Sequence, residues 1–521
     1  MNEPFRRVRL GAPEAVVAVL TLAFAWACIR FVAQPVLAGF ADDSVSYLIM
    51  GQVFSPWRPA SPAVAAAFAS EAFYPPLFGL LLGLSGAAHD LGRAHVLVAL
   101  LVAASLPVAY LLGLRLLEDR RAAAAATLCI AALPAPWINA MGILSEPLFG
   151  VLLLASFLAL PAEGPVSRSR LVLLAALLAA LVLTRTAALP LAGVYALWAL
   201  SRRDRAWAER FRLAVPALVA FAAYAAWVLL RPAETTDSYA RILGEHAWGG
   251  ALAGLLRQVH AVAEGWVGSL LIYWIEGRPA RALLAGLAGV AALAGLVLRL
   301  REGRADGWLT AAYLAVFLAW PFYDQMGRFL FPVLPVLVLY AFLAASRAVA
   351  LLQRPALLGT GVMALFFLSL TLPALAFLHQ RAQWRGPEAG IVDWYRTPGL
   401  DAARARAQVH LDLFADLAEV RKLTAPGDRV MWVTPAYVAL LADRVGVKAP
   451  DDRLAPENYR KAVAASGATH VLLTLYNPRD TLRADAWEAG TRALLKGAQP
   501  LHLRVREGGT VVSAVLLRVE R

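Results

Sequence analysis

The sequence predicts a polytopic α-helical membrane protein with about eleven transmembrane helices and a small C-terminal extracytoplasmic α/β domain. Of the 521 residues, 60% are hydrophobic and only 16% are charged, whereas soluble domains average about 45–50% apolar and about 25% charged residues. The apolar residues occur in runs close to the roughly 20 residues that a helix needs to cross a bilayer. This pattern excludes a soluble globular fold and indicates lipid-facing surfaces.

The distribution of charge indicates membrane topology. The net charge of +13 is compatible with nucleic-acid binding, but the arginines lie in short clusters between apolar runs. Basic residues near the ends of spans stay in the cytoplasm, so Arg6, Arg7 and Arg9 place the N-terminus there. We therefore predict a multi-pass protein of the bacterial inner membrane with no nucleic-acid partner.

Eleven apolar runs are predicted to span the membrane. They cover approximately residues 15–36, 94–116, 122–138, 146–161, 171–184, 186–200, 213–230, 281–298, 308–322, 329–346 and 355–378. This threading places the internal arginine clusters in cytoplasmic loops, which is an independent check on it. Because the number of spans is odd, the C-terminus is predicted to be extracytoplasmic.

The apolar segment 74–88 is predicted to lie at the membrane interface or to re-enter it. It is short, and it begins with Pro75 and Pro76. A crossing there would move the basic cluster of Arg115, Arg120 and Arg121 to the outside, against the positive-inside rule. Residues 34–93 are therefore predicted to form one continuous outer loop.

Two further regions are predicted outside the membrane. The second outer loop, 231–280, is predicted to contain a helix over 251–275, and its Trp266 and Trp274 are expected at headgroup level. Residues 1–380 would form the membrane module and 381–521 a separate α/β domain. In that domain a helix is predicted over 401–422, and strands over 429–433, 470–475, 501–505 and 511–519.

The first outer loop begins with two adjacent carboxylates, Asp42 and Asp43, followed by Tyr47. Carboxylates at a membrane surface are costly unless they are solvated, paired or metal-bound, and such a group can act as a general base. The alternative is a solvated turn or a helix N-cap, where aspartate is favoured.

Further candidates lie in the other predicted outer segments. Glu71 precedes the interfacial segment and Tyr74 begins it, and Glu146 starts a span, where it could simply complement the helix dipole. Arg185 lies in an apolar hairpin and needs an anion, for which a lipid phosphate and Glu146 are equal candidates. Arg328 could be a snorkelling anchor or a phosphate ligand. The threading places all of these residues on the outer face, and this convergence favours a functional site.

Four motifs match a known family in order along the chain. They are Asp42-Asp43 with Tyr47, Pro75-Pro76-Leu77, Ser145-Glu146-Pro147, and Arg328-Phe329-Leu330-Phe331-Pro332-Val333-Leu334-Pro335. Through roughly residue 380 the chain resembles the GT-C superfamily of membrane glycosyltransferases, in particular the protein O-mannosyltransferases and lipid A aminoarabinose transferases. Two positions depart from that pattern, since the family usually has Asp-Glu at the acidic pair and often a histidine where this chain has Tyr74.

The resemblance implies a sugar donor carried on polyprenyl phosphate and an extracytoplasmic acceptor, with Asp42 as the base that deprotonates the acceptor hydroxyl. Asp43 and Glu146 are the other catalytic candidates, and the substrate-binding candidates are Tyr47, Tyr74, Arg185 and Arg328. Asp42, Asp43 and Glu146 could also hold a divalent metal, but their spacing matches no ligand pattern, and we make no metal prediction.

Two other classes of protein remain open at this stage. A transporter or lipid-linked-sugar flippase would also have many spans, but transporters usually place polar residues and broken helices near the bilayer midplane. Here the charged residues cluster at the predicted outer mouth, which favours an enzyme. A non-catalytic scaffold, with its C-terminal domain binding a partner, is the third alternative.

Overall fold

The computed structural model describes residues 11–32, 37, 41–161, 164–232, 251–271, 278–320, 325–382, 400–450, 456–474, 498–505 and 512–519. The end of the helical bundle that the sequence predicts to be extracytoplasmic is called the outer end below.

Helices make up most of the described residues in the N-terminal three quarters of the chain. They are α1 (Ala12–Ala27, continued by the π-helix Cys28–Val32), α2 (Ala41–Val53), α3 (Pro62–Glu71), α4 (Leu77–Leu84), α5 (Leu91–Leu117), α6 (Arg120–Ala132), α7 (Pro134–Asn139), α8 (Glu146–Ala159), α9 (Arg168–Thr184), α10 (Ala188–Ser201), α11 (Trp207–Leu230), α12 (Ala251–Leu270), α13 (Arg278–Arg301), α14 (Ala305–Phe317), α15 (Met326–Leu330), α16 (Leu334–Leu351) and α17 (Ala356–Ala382).

Among the described residues, six helices are long and apolar enough to cross a membrane. They are Ala12–Phe31, Leu91–Leu117, Trp207–Leu230, Pro279–Arg301, Leu334–Leu351 and Ala356–Ala376. Large apolar side chains such as Leu22, Leu229 and Leu365 are exposed on them, as lipid-facing side chains would be. The chain is therefore a multi-pass membrane protein.

The predicted count of about eleven spans is not confirmed. Each of the other five predicted runs does form a helix, but α6, α8, α9, α10 and α14 have only 13 to 17 residues. At about 1.5 Å per residue they cover about 20–26 Å, less than the hydrocarbon thickness of about 30 Å. Two of them, α8 and α10, are apolar throughout most of their length.

Among its described residues, the first outer loop contains three short α-helices, α2, α3 and α4. The segment predicted to lie at the interface contains α4, whose eight residues extend about 12 Å and cannot cross a bilayer. Helices α4 and α2 pack almost backbone to backbone, because a Cβ atom added at Gly83 would lie 2.5 Å from the carbonyl oxygen of Gly51. This contact fixes α2, which carries Asp43 and Tyr47, relative to the rest of the bundle.

In the second outer loop, the structure shows how Trp266 is packed. Helix α12 forms within the predicted range, but Trp266 is buried, and its indole N–H donates to the carbonyl of Ala285 in α13 at 2.7 Å. A protein acceptor therefore satisfies its polar atom, and the expectation that this ring lies at headgroup level stays a prediction. Trp274 lies outside the described residues.

The C-terminal region contains a five-stranded sheet in the order β2-β1-β3-β5-β4. Its elements are α18 (Leu400–Leu423), β1 (Arg429–Trp432), α19 (Pro435–Tyr437, continued by the π-helix Val438–Ala442), β2 (Val445–Lys448), α20 (Pro456–Ala465), β3 (His470–Thr474), β4 (Gln499–Val505) and β5 (Val512–Arg518). Strands β2, β1 and β3 are parallel, while β5 is antiparallel to both β3 and β4.

The structure confirms helix α18 and four of these strands from the prediction. Strand β2 was missed, because its four residues include a glycine and form a half-exposed edge without a clear alternation. The sheet region packs on the first outer loop, since α19 contacts α2 and α3 and β2 contacts α3. At this contact Trp432 and Tyr437 are buried with their rings edge to face at 5.7 Å.

We expect Gly83→Ala to loosen the first outer loop. The added methyl group would overlap the backbone of α2, and overpacking of this kind costs about 1–3 kcal/mol, which lowers the midpoint of thermal unfolding in detergent. Gly286→Ala in α13 is the matched control, because nothing lies within 4 Å of its added Cβ atom. Equal midpoints for the two variants would contradict close packing of α2 on α4.

Candidate functional site

An arginine from α15 lies at the centre of the candidate site. The guanidinium of Arg328 donates to Oδ2 of Asp43 at 2.5 Å and to Oε1 of Glu146, and it also contacts Gln325 Oε1 at 3.2 Å. Only 3% of its side chain is exposed, so the snorkelling alternative is wrong, because a snorkelling arginine keeps its head in water. Arg328 instead joins α2, α8 and α15 through ion pairs.

Glu146 is the first residue of α8 and is completely buried. Its Oε1 accepts from Arg328 and, at 2.7 Å, from Arg185. Its second oxygen, Oε2, has no hydrogen-bond partner among the described residues. A buried carboxylate needs cationic partners such as these two arginines to offset its desolvation. Its position in the first turn of α8 also complements the helix dipole.

Arg185 follows the last residue of α9 and lies beside Arg328. Its guanidinium contacts Glu146, donates to Ser145 Oγ at 3.1 Å and lies 5.5 Å from the centre of the Phe329 ring. The sequence left a lipid phosphate and Glu146 as candidate partners of Arg185, and the structure shows the ion pair with Glu146. With 15% of its side chain exposed, Arg185 is more accessible than Arg328.

Both carboxylate oxygens of Asp43 are engaged. Oδ2 pairs with Arg328, and Oδ1 accepts from the hydroxyl of Tyr74 at 2.8 Å. Burial alone would raise the pKa of Asp43, but Arg328 and the Tyr74 hydroxyl outweigh it and hold that pKa below its usual value. Asp43 is therefore an ionised counter-charge, with little tendency to take up a proton.

The two tyrosine candidates connect the first outer loop to this cluster. The hydroxyl of Tyr47 lies 2.8 Å from Ser145 Oγ, and its ring packs against Tyr74 at 5.3 Å and edge to face on Phe78 at 5.0 Å. The structure thus brings six of the seven predicted site residues together. For Asp42 it describes the position in α2 but not the side chain, so its role stays a prediction.

A cavity opens next to this cluster. It is small and partly open, and it is lined by Tyr47, Pro75, Thr184, Arg185, Thr186, Ala187, Tyr313, Val316, Phe317, Trp320 and Phe329. Five of these eleven residues are aromatic, and Arg185 is the only charged lining residue among those described. Such a site suits a ligand with an apolar body and one anionic group.

Three of the aromatic lining residues were missed in the sequence. Tyr313, Phe317 and Trp320 line one wall of the cavity, and their spacing of four and then three residues places them on one face of a helix. That spacing was a detectable signal, but it does not distinguish a cavity wall from an ordinary packed face. The hydroxyl of Tyr313 donates to the carbonyl of Phe329 at 3.0 Å, which ties this wall to α15.

Within the described part of the chain, no group of three or more histidine, cysteine, aspartate or glutamate side chains could together hold a metal ion. The carboxylates of Asp43 and Glu146 meet at Arg328 instead. As the Asp42 side chain is not described, the three-carboxylate arrangement considered from the sequence is not tested.

We expect Arg328→Met to destabilise the protein strongly. It would leave Asp43 and Glu146 without a shared counter-charge, and breaking a buried pair by removing one partner costs about 3–5 kcal/mol. Arg93→Met is the matched control, because Arg93 and its partner Asp90 are 73% and 52% exposed and lie 3.7 Å apart, and exposed pairs contribute about 1 kcal/mol or less. Thermal unfolding in detergent measures both variants, and similar midpoints would contradict a structural role for Arg328.

Comparisons of sequence give no family. A scan against protein-family models found no matching model. A search of curated proteins found no significant match.

Comparisons of structure do find similar proteins. The oligosaccharyltransferase AglB from Archaeoglobus fulgidus, in complex with an inhibitory peptide and a dolichol-phosphate, is 13% identical with a TM-score of 0.53, covering 91% of this chain and 70% of AglB. ArnT from Cupriavidus metallidurans bound to undecaprenyl phosphate is 14% identical with a TM-score of 0.55, covering 96% of this chain and 97% of ArnT. The structure of the same ArnT in the apo state is 15% identical to this chain, with a TM-score of 0.56. The chain therefore shares the fold of the GT-C superfamily of lipid-linked sugar transferases, to which both proteins belong.

Proposed function

We propose that this chain is a membrane glycosyltransferase that moves a sugar from a polyprenyl-phosphate donor to an acceptor on the extracytoplasmic side of the membrane. The observation that carries the proposal is a partly exposed arginine, Arg185, in the wall of an aromatic-lined cavity at the outer end of a GT-C fold. Two proteins of that fold are described in complex with a dolichol-phosphate and with undecaprenyl phosphate. A lipid phosphate needs both elements, a cation for its headgroup and an apolar path for its tail.

Arg185 is proposed as the main contact for the donor phosphate. Both arginines were candidates from the sequence, but Arg328 is buried and donates to two carboxylates, whereas Arg185 lines the cavity. The planar guanidinium suits phosphate oxygens. In this assignment Arg328 holds Asp43 and Glu146 in place, and Glu146 in turn orients Arg185.

The ion pairs of the cluster favour a donor that carries few negative charges, because no large excess of positive charge is left to bind it. Arg185 and Arg328 are balanced by Asp43 and Glu146, so a bound phosphate adds charge to a nearly neutral site. A phosphodiester carries one negative charge, which a single arginine can match. The aromatic lining would lie against the sugar ring or the first isoprene units.

Asp42 is proposed as the general base. Asp43 has both oxygens engaged and a lowered pKa, which makes it a poor proton acceptor. Asp42 precedes it in α2, and consecutive helix positions lie on different faces, about 100° apart. The two adjacent carboxylates would thus divide the work, with Asp43 fixing α2 through Arg328 and Asp42 receiving the acceptor proton.

The sheet region, within the proposed domain 381–521, is proposed to border the acceptor entrance. It contacts α2 and α3, the helices that carry the acidic pair and Glu71. Glu71 itself accepts a hydrogen bond of 2.5 Å from Ser46 of α2. An acceptor reaching Asp42 from outside the membrane would pass along this contact.

Arg185→Gln should weaken binding of polyprenyl phosphate while the protein stays folded. A charge-assisted hydrogen bond contributes about 1.5–3 kcal/mol, which corresponds to roughly a tenfold to hundredfold increase in Kd. Binding is measured with the purified protein in nanodiscs. Arg93→Gln, an exposed arginine outside the cavity, is the control and should bind like the wild type. Unchanged affinity in Arg185→Gln would assign the phosphate to another residue.

Asp42→Asn should nearly abolish sugar transfer without changing insertion or donor binding. The amide keeps the size of the carboxylate but cannot take a proton, and general-base assistance contributes about a hundredfold to ten-thousandfold in rate. The assay supplies labelled polyprenyl-phosphate sugars to the purified protein in native membrane extracts and follows the label from the lipid to an acceptor.

Two outcomes would count against this assignment. If Asp42→Asn kept more than about a tenth of the wild-type turnover, the lost assistance would be under about 1.4 kcal/mol, and another residue would be the base. If the wild type moved labelled lipid between leaflets with the sugar still attached, the chain would be a flippase. Asp43→Asn is the paired variant, and we expect it to affect thermal stability more than Asp42→Asn does.

A further inference from the structure

Helix α8 connects the candidate site with the opposite end of the bundle. It begins at Glu146 in the site, and its 14 residues extend about 21 Å. The last four carbonyl groups of any helix lack partners within that helix. The end of α8 is buried, and a buried carbonyl group without a hydrogen bond costs free energy, so the end of α8 needs donors.

Two arginines supply these donors. Arg115 of α5 donates to the carbonyls of Phe157, Leu158 and Leu160 at 2.9, 2.8 and 2.9 Å. Arg170 of α9 donates to the carbonyls of Ala159, Leu158 and Leu160 at 3.0, 3.1 and 2.7 Å. These contacts are named the carbonyl clamp below. They join two positive charges to the negative end of the α8 dipole.

The same two helices meet again in the site. Helix α9 carries Arg170 near its beginning, and Arg185 follows its end, where it pairs with Glu146. Arg170 and Arg185 are 15 residues apart, about 22 Å along a helix, and Glu146 and Leu160 are 14 residues apart, about 21 Å. Arg170 therefore joins α9 to one end of α8, and Arg185 joins α9 to the other end. The distance between these two arginines along α9 matches the length of α8.

We propose that Arg115 and Arg170 are positioning residues, which fix the height of α8 along α9 and thereby place Glu146 and Arg185 at the cavity. A helix is stiff along its axis, so a carbonyl end that is held sets the position of the other end. Of this inference, only the link from Arg185 to phosphate binding rests on the proposed function.

Hydrogen exchange tests the geometric part without any ligand. The double variant Arg115→Met with Arg170→Met should accelerate amide exchange at least about tenfold in residues 140–147, at the far end of α8 from the substitutions, which corresponds to a loss of about 1.4 kcal/mol in local opening. Arg121→Met, which replaces an exposed arginine in the first turn of α6, is the control and should leave this segment unchanged. Faster exchange confined to 155–160 would overturn the proposal, since the clamp would then act only locally.

Binding of polyprenyl phosphate tests the functional part through a double-mutant cycle. In the wild-type background, loss of the clamp should raise Kd about tenfold. In the Arg185→Gln background it should change Kd by less than about twofold, because the residue through which it acts is gone. Equal losses in both backgrounds would overturn the proposal.

Two further outcomes distinguish failure of the clamp proposal from failure of the proposed function. If the methionine variants do not fold, Arg115→Lys and Arg170→Lys serve instead, since lysine keeps the charge but lacks the planar fork that reaches two carbonyls. If the wild type binds no polyprenyl phosphate, the proposed function fails, and the exchange measurement alone decides whether the clamp positions Glu146.

Discussion

The buried guanidinium of Arg328 is the interaction on which the outer half of the molecule depends. It brings together two carboxylates, Asp43 and Glu146, from helices that are about a hundred residues apart in sequence, and it comes itself from a third segment. Each partner would be expensive to bury alone. The three charged side chains can therefore be buried together only when their segments are arranged so that the ion pairs form. The cavity beside Arg185 lies next to this arrangement.

The elements of the fold were readable from local patterns. Every apolar run predicted as a span contains a helix among its described residues, and the strands around Val430, Leu472 and Leu516 follow from their β-branched and apolar residues. The sequence did not settle how far each helix extends. Helix α6 ends at Ala132 and α8 at Ala159, and the apolar composition alone does not give these end points. The number of crossings depends on those ends.

The candidate site was readable as a set of residues but not as a geometry. Convergence on one face correctly grouped Asp43, Tyr47, Glu146 and Arg185, whereas the pairing of Arg328 with two carboxylates joins positions up to 285 residues apart. Nothing local distinguishes such an arginine from one that reaches for water. The hydrogen-bond partner of Trp266 was hidden for the same reason, since its acceptor, the carbonyl of Ala285, belongs to another helix.

The near cancellation of charge in the cluster also affects how a ligand could arrive. Two arginines facing two carboxylates project little field beyond a few ångströms, and Arg185 is mostly covered. Steering from bulk solvent, which needs a long-range potential of one sign, contributes little at such a cavity. A ligand anchored in the bilayer needs no such steering, because lateral diffusion confines its search to the plane of the membrane, and its rate of encounter would then depend on lipid density more than on ionic strength.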